Sequence, residues 1–436
     1  MKRIRQACNS QLAPKTFARL LALTLLLPIL VVSTSHAQTF SVLHNFTGPE
    51  GWGPSGTPTL DQGGNLYGTT SAGGSNDAGT VFKLTPHDSS WLLSSLYSFP
   101  GSYSANCTTG GCPNGVIRDG SGVLYGTTSS GGAYNNGTVF QLRPSATLPS
   151  SVRAPWNETI LYSFDRTGGA GYTPTLANLA IDRQGNLYGT TEDGGIGECS
   201  PPGCGTVYQL TPSAGGFTYS TIYEFTFTGP NDGAIPFAGV TLDSAGNLYG
   251  TTILGGSSGC GTVYKLTPSG SGWTEAVIYN FTCGTDGQEP FAGIAVGNSG
   301  NLFGGALYGT GSPGGSVFEL SPSGGGWVYS QLQLFTTGGQ GPSQTLAVDS
   351  AGNVYGTTPA DGLYGGGNVF KLTPSNGSWI YTSLHDFTCG QDGCAPGGVA
   401  LDATGNLFGV ANVGGLHETA CFSYDQSCGL VWEITP

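Results

Sequence analysis

One seven-residue run recurs seven times along the chain, and it constrains the architecture more than any other feature. In its fullest form the run reads Gly-Asn-Leu-Tyr-Gly-Thr-Thr, and successive copies start 52 to 63 residues apart. The copies begin at Gly64, Gly122, Gly185, Gly246, Gly300, Gly352 and Gly405, of which the fifth and the seventh are partly degraded. A unit that repeats at this length indicates an array of similar supersecondary elements that bury their faces against one another.

Around each copy, four β-rich pieces follow in the same order. In the fourth unit an apolar run at 239–243 leads through an Asp-x-x-Gly-Asn turn into a strand at 248–252, and two further strands follow at 261–268 and 273–281. The third piece alternates with the period of a strand, and no stretch after residue 38 has a helical period. The pattern predicts an all-β fold, a seven-bladed β-propeller with four antiparallel strands per blade.

The phase of the repeat predicts how the ring closes. Residues 39–46 match the fourth piece of a unit with no first three pieces before them, whereas residues 429–436 match the third piece with no fourth after them. If the N-terminal strand docks beside the C-terminal one, seven complete blades result and no sheet edge stays open. We therefore expect the N-terminal strand to close the last blade.

The first 37 residues have the pattern of a signal peptide. A basic start precedes an apolar core at 20–32, and Ser35-His36-Ala37 supplies the small-x-small pattern of a cleavage site. The apolar core is about 13 residues long, which is too short to span a bilayer comfortably. We expect 1–37 to be removed, 38–436 to form one propeller domain without a membrane span, and the protein to be secreted or periplasmic.

The charge of the chain argues against one class of partner. The sequence has 13 basic and 26 acidic residues, and five of the basic residues but none of the acidic ones lie in 1–37. Residues 38–436 therefore hold 8 basic and 26 acidic residues, a formal charge of −18. Because such a field repels phosphate backbones and anionic lipid surfaces, nucleic acid is not an expected partner.

The repeat also resembles a known family. Asp-Gly-x-x-Pro, Asp-x-x-Gly-Asn-Leu-Tyr-Gly-Thr-Thr, Gly-Thr-Val-Phe-Lys-Leu-Thr-Pro and Leu-Tyr-Ser-Phe occur in this order, and the series resembles the GloVer (Gloeo/Verruco) tandem repeat over essentially residues 39–436. The resemblance implies an exported bacterial protein of undefined activity. Family members often carry a C-terminal anchoring segment, whereas this sequence stops at the end of a strand, which favours release. The turn is also similar to that of NHL-type propellers, which supports the fold and no activity.

One face of the propeller is expected to carry the binding site. The loops between second and third strands and between blades share a face, and they are long and variable here, which is typical of binding loops on a rigid scaffold. Phe237 and Phe291, in two Pro-Phe-Ala-Gly runs, are expected near the channel mouth, where packing is the favoured role and ligand binding the alternative. His417 is expected on this face. Exposed aromatic side chains that can stack on sugars or anchor a protein are expected at Trp52, Tyr103, Tyr134, Tyr172 and Tyr424.

The ten cysteines after residue 37 indicate disulfides, because an exported chain with an even number of cysteines is oxidised. Cys260 precedes a third strand and Cys283 follows the fourth strand of the same unit, so antiparallel pairing predicts a bridge between them. Metal binding is the alternative, but the spacings are not Cys-x-x-Cys. Four local pairs are expected to staple loops: Cys107 with Cys112, Cys199 with Cys204, Cys389 with Cys394, and Cys421 with Cys428.

A carboxylate recurs in the loops that enter a new blade. Asp232, Asp286 and Asp392 each precede Gly with Pro four positions on, and Glu50 occupies the same place. Carboxylates around a propeller mouth can hold Ca²⁺ or a cationic ligand. The simpler interpretation, which we favour, is that Asp-Gly makes a turn before a strand that starts with Pro. No cofactor is therefore expected, with Ca²⁺ as the alternative.

Catalytic patterns are weak. Residues 255–259 match Gly-x-Ser-x-Gly, but that motif needs a strand that enters a helix, and this run joins two strands. We interpret the protein as a non-enzymatic, monomeric, exported propeller that binds a carbohydrate or a surface protein through its loop-rich, disulfide-stapled face. The alternative is a hydrolase or lyase that acts on polysaccharide with carboxylates at the channel mouth, with or without Ca²⁺.

Overall fold

Seven four-stranded antiparallel sheets, arranged as the blades of a β-propeller, make up the fold and confirm the predicted architecture. The computed structural model describes residues 38–101, 112–145, 156–166, 170–174, 178–199, 203–229, 231–270, 272–309, 314–335, 340–416 and 428–436. All regular elements in these ranges are strands, and none of them is a helix that could cross a membrane.

The blades are numbered in chain order, and within each blade the first strand lines the channel. Blade 1 comprises β2 (Trp52–Leu60), β3 (Leu66–Ala72), β4 (Thr80–His87) and β5 (Ser90–Ser98). Blade 2 comprises β6 (Pro113–Arg118), β7 (Leu124–Thr128), β8 (Thr138–Pro144) and β9 (Trp156–Ser163). Blade 3 comprises β11 (Ala180–Ile181), β12 (Leu187–Thr191), β14 (Thr206–Ser213) and β15 (Gly216–Glu224). Blade 4 comprises β17 (Thr241–Leu242), β18 (Leu248–Thr252), β20 (Thr262–Ser269) and β21 (Gly272–Asn280).

The remaining blades follow the same order. Blade 5 comprises β22 (Ala295–Val296), β23 (Leu302–Ala306), β24 (Ser316–Ser323) and β25 (Gly326–Leu334). Blade 6 comprises β26 (Ala347–Val348), β27 (Val354–Thr358), β28 (Asn368–Ser375) and β29 (Ser378–Asp386). Blade 7 comprises β30 (Cys394–Leu401), β31 (Leu407–Val413), β32 (Leu430–Thr435) and the N-terminal β1 (Thr39–Asn45). Two short ribbons pair β10 (Gly171–Tyr172) with β13 (Asp193–Gly194), and β16 (Gly233–Ala234) with β19 (Leu254–Gly255).

Strand position in a blade follows from the sequence pattern. The second strand, as in β18, is buried throughout because both of its faces pack against other residues, whereas the fourth strand, as in β21, alternates between exposed and partly buried positions. Gly250 lies in the middle of β18 because the Tyr264 ring of β20 covers it. A Cβ at Gly250 would lie 2.3 Å from the Tyr264 hydroxyl oxygen.

The apolar core is divided among the interfaces between blades. In the part of the chain that the structure describes, buried side chains form seven clusters, each of which joins two adjacent blades. At several interfaces a fourth-strand Trp packs against the second-strand aromatic residue of the preceding blade. The Trp273 and Tyr188 ring centroids, for example, are 5.8 Å apart in an edge-on arrangement. Each blade is therefore stabilised mainly by its two neighbours.

The N-terminal strand closes the ring as the phase of the repeat predicts. β1 pairs antiparallel with β32 along its length, with one irregularity. Phe46, which directly follows β1, is only 1% exposed, and its ring centroid lies 5.2 Å from that of Phe82 in blade 1. At the other interface of blade 7, Phe40 stacks on His385 of blade 6 with centroids 3.7 Å apart. The strand therefore joins blade 7 to both of its neighbours.

A Gly–Pro contact forms the backbone joint between most pairs of adjacent blades. Gly205, which precedes β14, has a φ of +90°, and a Cβ there would lie 2.4 Å from Pro236 Cδ in blade 4 and 2.5 Å from the Thr191 carbonyl oxygen. The residue before that proline, Ile235, donates its amide to the Cys204 carbonyl at 2.8 Å. Glycines at the equivalent position of other blades also contact a proline of the following blade, and they are Gly79, Gly137, Gly261, Gly367 and Gly429.

Replacing the closing aromatic residue should destabilise the whole ring. We expect Phe46→Ala to lower the free energy of unfolding by about 3–5 kcal/mol, since it leaves a cavity between blades 7 and 1. Val42→Ala, on the same strand at a position that is 37% exposed, should cost about 1 kcal/mol or less. Urea denaturation of both variants measures the difference, and equal costs would contradict the closure by Phe46.

The blade joint should not tolerate a side chain. We expect Gly205→Ala to lower the free energy of unfolding by about 2–5 kcal/mol, because the methyl group meets both Pro236 and the backbone at a positive φ. Gly215→Ala is the control, since a Cβ at Gly215 has no neighbour within 4 Å. Thermal and urea unfolding compare the two, and a Gly205→Ala protein as stable as the control would refute this account of the joint.

Candidate functional site

The channel at the centre of the ring contains a cavity of about 370 Å³. Blades 3 to 6 supply most of its wall from their innermost segments, and Thr57 of blade 1 and Val399 of blade 7 complete it. The lining residues used below are Asn178, Phe237, Phe291, Ser343, Gln344 and Thr345. A concave site of this size at the ring centre is suited to a small ligand.

The cavity lies mainly against blades 3 to 6, whereas the first strands of the other three blades are irregular. The pairing register shifts in β2, β6 and β30, within blades 1, 2 and 7. The backbone of blade 7 then reaches blade 1, and a Cβ at Gly398 would lie only 1.8 Å from Thr57 Oγ1. Asn178 Nδ2 of blade 3 donates to the Thr57 carbonyl of blade 1 at 3.4 Å. Blades 1, 2 and 7 therefore fill one side of the channel, and the open space lies against blades 3 to 6.

Two aromatic rings form one side of the cavity. Phe237 and Phe291 follow Pro236 and Pro290 at the start of the innermost segments of blades 4 and 5. Their ring centroids lie 4.6 Å apart with an interplanar angle of 65°, and both side chains are partly exposed. Both residues thus line the channel cavity and contact each other, whereas their role in ligand binding stays a prediction.

The rest of the wall is neutral and polar. Gln344 and Thr345 are partly exposed, and neither side chain has a hydrogen-bond partner among the described residues. No Asp, Glu, His, Lys or Arg occurs among the described residues that line the cavity. No sequence motif indicates Gln344 or Thr345 as site residues, although the Ser-Gln-Thr run after Pro342 departs from the Phe-Ala-Gly run of blades 4 and 5.

The aromatic residues predicted on the loops have different surroundings. Tyr134 is 59% exposed, as expected. The expected exposure of Tyr172 is wrong: it is only 3% exposed, because it lies in β10 within the core cluster of blades 2 and 3 under Arg166. Trp52 lies in β2, packs against the core and donates Nε1 to Asp77 at 3.2 Å. Three other predicted residues lie outside the described residues: Tyr103, His417 and Tyr424.

Each of the four recurring carboxylates braces its own loop. Asp286 accepts from Tyr279 Oη at 2.9 Å, from the Thr282 amide at 2.8 Å and from Thr282 Oγ1 at 2.6 Å. Asp232, Asp392 and Glu50 each accept the same two hydrogen bonds from a Thr of their own loop. The ring contact that Tyr279 makes with Asp286 is made in these loops by Tyr223, His385 and His44, respectively.

These bonds account for the recurrence of the acids without an ion. Each carboxylate orders the loop that leads from one blade into the next, by accepting hydrogen bonds from the Thr that lies two residues after the preceding strand. Among the described residues, no group of three or more His, Cys, Asp or Glu side chains is placed to hold a metal ion. A role of Glu50, Asp232, Asp286 and Asp392 in binding Ca²⁺ remains a prediction.

The disulfides lie on the loop-rich face. Cys199 is bonded to Cys204, Cys260 to Cys283 and Cys389 to Cys394, as the sequence predicted, with Cα separations of 5.0, 5.5 and 4.4 Å. Cys112 and Cys428 are also disulfide-bonded. Their predicted partners, Cys107 and Cys421, lie outside the described residues. The bridges fit an extracellular protein.

A second acid lies beside one of the loop carboxylates. Glu275 of β21 has a buried Oε1 without a hydrogen-bond partner among the described residues. Burial, and secondarily repulsion from Asp232, raises the pKa of Glu275 to about 7. The Tyr223 hydroxyl donates to Asp232 Oδ1 at 3.1 Å. The folded protein therefore prefers a protonated Glu275, and ionising this side chain opposes folding.

Stability should decline between acid and neutral pH because of this side chain. The stability that protonated Glu275 contributes is fully present below about pH 4.5, its ordinary pKa, and is lost as the pH rises through about 7. We expect Glu275→Gln to gain unfolding free energy relative to the wild type as the pH rises from 5 to 8. Urea titrations at several pH values test this. Glu198→Gln, at an exposed site, is the control, and parallel curves for wild type and Glu275→Gln would contradict the assignment.

Solved structures with some likeness to this chain cover most of its length. They include a protein of unknown function from Dyadobacter fermentans, with 10% identity, a TM-score of 0.43 and coverage of 92% of this chain and 98% of that one. A Lactobacillus plantarum protein has 14% identity, a TM-score of 0.49 and coverage of 80% and 88%. A puromycin-hydrolyzing peptidase from Mycobacterium tuberculosis has 10% identity, a TM-score of 0.42 and coverage of 86% and 61%. At these TM-scores, no functional conclusion is transferred.

The repeat itself has a clear relationship. No curated protein matches the sequence. The Gloeobacter/Verrucomicrobia repeat, by contrast, matches residues 29–201 and 179–422, which together span most of the chain. Both matches contain the Asp-x-x-Gly-Asn turn and the Leu-Tyr-Gly-Thr-Thr strand that build the blades. The chain therefore belongs to the Gloeobacter/Verrucomicrobia repeat family.

Proposed function

We propose that this protein is an exported, non-enzymatic propeller that binds a neutral carbohydrate in its central channel. The observation that carries the proposal is the channel cavity of about 370 Å³, in which two contacting aromatic rings face unpaired neutral polar groups. Phe237 and Phe291 offer apolar faces on which the C–H side of a sugar ring can stack. Gln344 and Thr345 can donate to and accept from sugar hydroxyls.

The wall of the cavity supports binding rather than hydrolysis. Glycoside hydrolysis commonly uses two carboxylates on either side of the bond, about 5 to 9.5 Å apart. The described residues that line the cavity include no carboxylate. The recurrent acids of the loops are instead engaged with Thr, Tyr and His side chains of their own blades.

A protein partner is the second candidate, and one observation favours it. Large apolar side chains project from the loops between second and third strands in four blades. They are Tyr134, Ile196, Leu363, Tyr364 and Leu416, which are 59%, 73%, 76%, 61% and 58% exposed. A scattered set of this kind can anchor a protein across the face, whereas the channel suits a small ligand.

Export is supported by the leader pattern and by the disulfides. Residues 1–37 combine a basic start, an apolar core and a small-x-small site. The loop disulfides fit an oxidising compartment, either the periplasm or the medium. The acidic excess of residues 38–436 fits a neutral ligand better than an acidic polysaccharide.

A channel site predicts which variants lose binding. We expect the purified protein to select neutral over uronate-containing glycans on an array, and Phe237→Ala or Phe291→Ala to weaken binding of the selected glycan about tenfold or more in calorimetry. Gln344→Ala should weaken it as well. Tyr134→Ala is the matched aromatic control on an exposed loop and should leave the affinity unchanged.

The alternatives have distinct outcomes. A loss of glycan binding in Tyr134→Ala with none in Phe237→Ala would move the site from the channel to the loops. Cleavage of the glycan by the wild type would replace the binding proposal with an enzyme. Thermal melts of each variant ensure that a lost signal reflects the site and not the fold.

A further inference from the structure

The turns between first and second strands lie on the face opposite the long loops, and in most blades each turn contains the same kind of side-chain network. In blade 4, Asp243 Oδ1 accepts from the backbone amides of Ala245 and Asn247, at 2.8 and 2.9 Å, while Oδ2 accepts from Asn247 Nδ2 and Tyr249 Oη, at 2.7 and 3.1 Å. This bonding to the amide four residues on recurs in six blades, at Asp61, Asp119, Asp182, Asp243, Asp349 and Asp402.

In three blades a lysine ammonium completes this network. Lys83 in blade 1, Lys265 in blade 4 and Lys371 in blade 6 stand at the same place in the third strand. Their Nζ atoms lie 5.7, 5.6 and 5.4 Å from the centroid of the second-strand Tyr ring. An ammonium over an aromatic face at this distance is a cation–π contact. The repeat therefore has a defined place for a primary ammonium group beside this ring.

Blade 5 keeps the backbone turn and loses the network. Gly297 replaces the Asp, Phe303 replaces the Tyr and Glu319 replaces the Lys. The turn is still closed by the Gly297 amide, which donates to the Asn301 carbonyl at 2.8 Å. Asn301 Nδ2, without its Asp partner, donates to Glu319 Oε1 at 2.5 Å. The charge at this place is thus reversed relative to blades 1, 4 and 6.

A cleft of about 280 Å³ lies at this altered turn, between blades 5 and 6. The rings of Phe303 and Trp379 line it and meet edge to face, with centroids 6.0 Å apart. Glu319 and Trp379 also line an adjoining groove of about 510 Å³. Glu319 Oε2 has no hydrogen-bond partner among the described residues, so one carboxylate oxygen is open to a ligand.

We propose that this cleft binds a small primary alkylammonium ion. The bound ammonium would take the place that Lys Nζ holds in blades 1, 4 and 6, beside the Phe303 ring and with Glu319 as its counter-ion. The Asn298 amide, which also lines the cleft, offers a second acceptor oxygen. The alkyl chain can lie along Trp379 towards the adjoining groove.

The chemistry of the cleft selects a cation over a neutral hydroxyl ligand. An ionised carboxylate only accepts hydrogen bonds, and an ammonium supplies three donors together with the opposite charge. The aromatic rings attract a cation through their faces, an attraction that a neutral alcohol lacks. The acidic excess of residues 38–436 favours cations at the surface as a whole. This cleft shares no lining residue with the channel cavity and lies on the face opposite the long loops.

The Trp379 indole provides a direct readout. We expect n-butylammonium chloride, titrated into protein with ¹⁵N-labelled tryptophan, to shift the Trp379 Nε1–H signal saturably, with that signal assigned by its loss in Trp379→Phe. The same concentration of 1-butanol should not shift it. Glu319→Gln should weaken binding about ten- to hundredfold, the size expected for loss of one charged hydrogen-bond partner.

Two further variants separate the site from general charge effects. Glu433→Gln removes the Glu at the equivalent place in blade 7, where Asp402 keeps its turn network, and it should leave the titration unchanged. Glu319→Lys restores the residue of blades 1, 4 and 6 and should abolish binding in a folded protein. An equal shift with 1-butanol, an unchanged affinity in Glu319→Gln, or no saturable shift in the wild type would overturn the proposal.

Discussion

The propeller depends on how closely two blades can approach at their backbone joint. At six joints a glycine in the left-handed region lies against a proline of the next blade. A side chain there would meet both the proline ring and a carbonyl oxygen of its own blade, so only glycine permits the approach. The joint sets the angle at which the next first strand enters the channel. Core clusters, channel wall and loops all follow from that repeated angle.

Because the joints are nearly uniform, functional features arise where single blades depart from the repeat. Irregular first strands in blades 1, 2 and 7 fill one side of the channel, and two phenylalanines in blades 4 and 5 line the other. On the face opposite the long loops, Gly297 of blade 5 replaces the Asp that forms the turn network in the six other blades, and a cleft lies at this turn. Comparison with the regular blades therefore shows which residues of the repeat have changed at each of these places.

The features of the fold that depend on local periodicity could be predicted from the sequence. Seven blades, closure by β1 and the Cys260–Cys283 bridge follow from the repeat and its phase. The prediction that Tyr172 is exposed is wrong, because the residue lies in β10, which pairs with β13 and is buried. A strand of two residues is too short to leave a recognisable pattern in the sequence. The channel cavity could not be located, since its shape depends on Thr57 reaching Asn178, two segments far apart in sequence. The cleft beside Gly297 could not be predicted either, because the fifth copy is identified in the sequence only as degraded and the space left by a missing carboxylate has no local pattern.

The pairing of β1 with β32 has a consequence for the order of folding. Residue 39 is among the first of the propeller to be synthesised, and its partner, residue 435, is among the last. Blades 1 to 6 can form and pack against their neighbours in sequence while β1 still lacks β32, the strand with which it pairs. The final step therefore joins the first and the last strand of the propeller and carries the largest loop-closure entropy of any strand pairing among the described residues. A chain that is interrupted before blade 7 retains an open strand at both ends of an incomplete ring, which makes it a target for self-association.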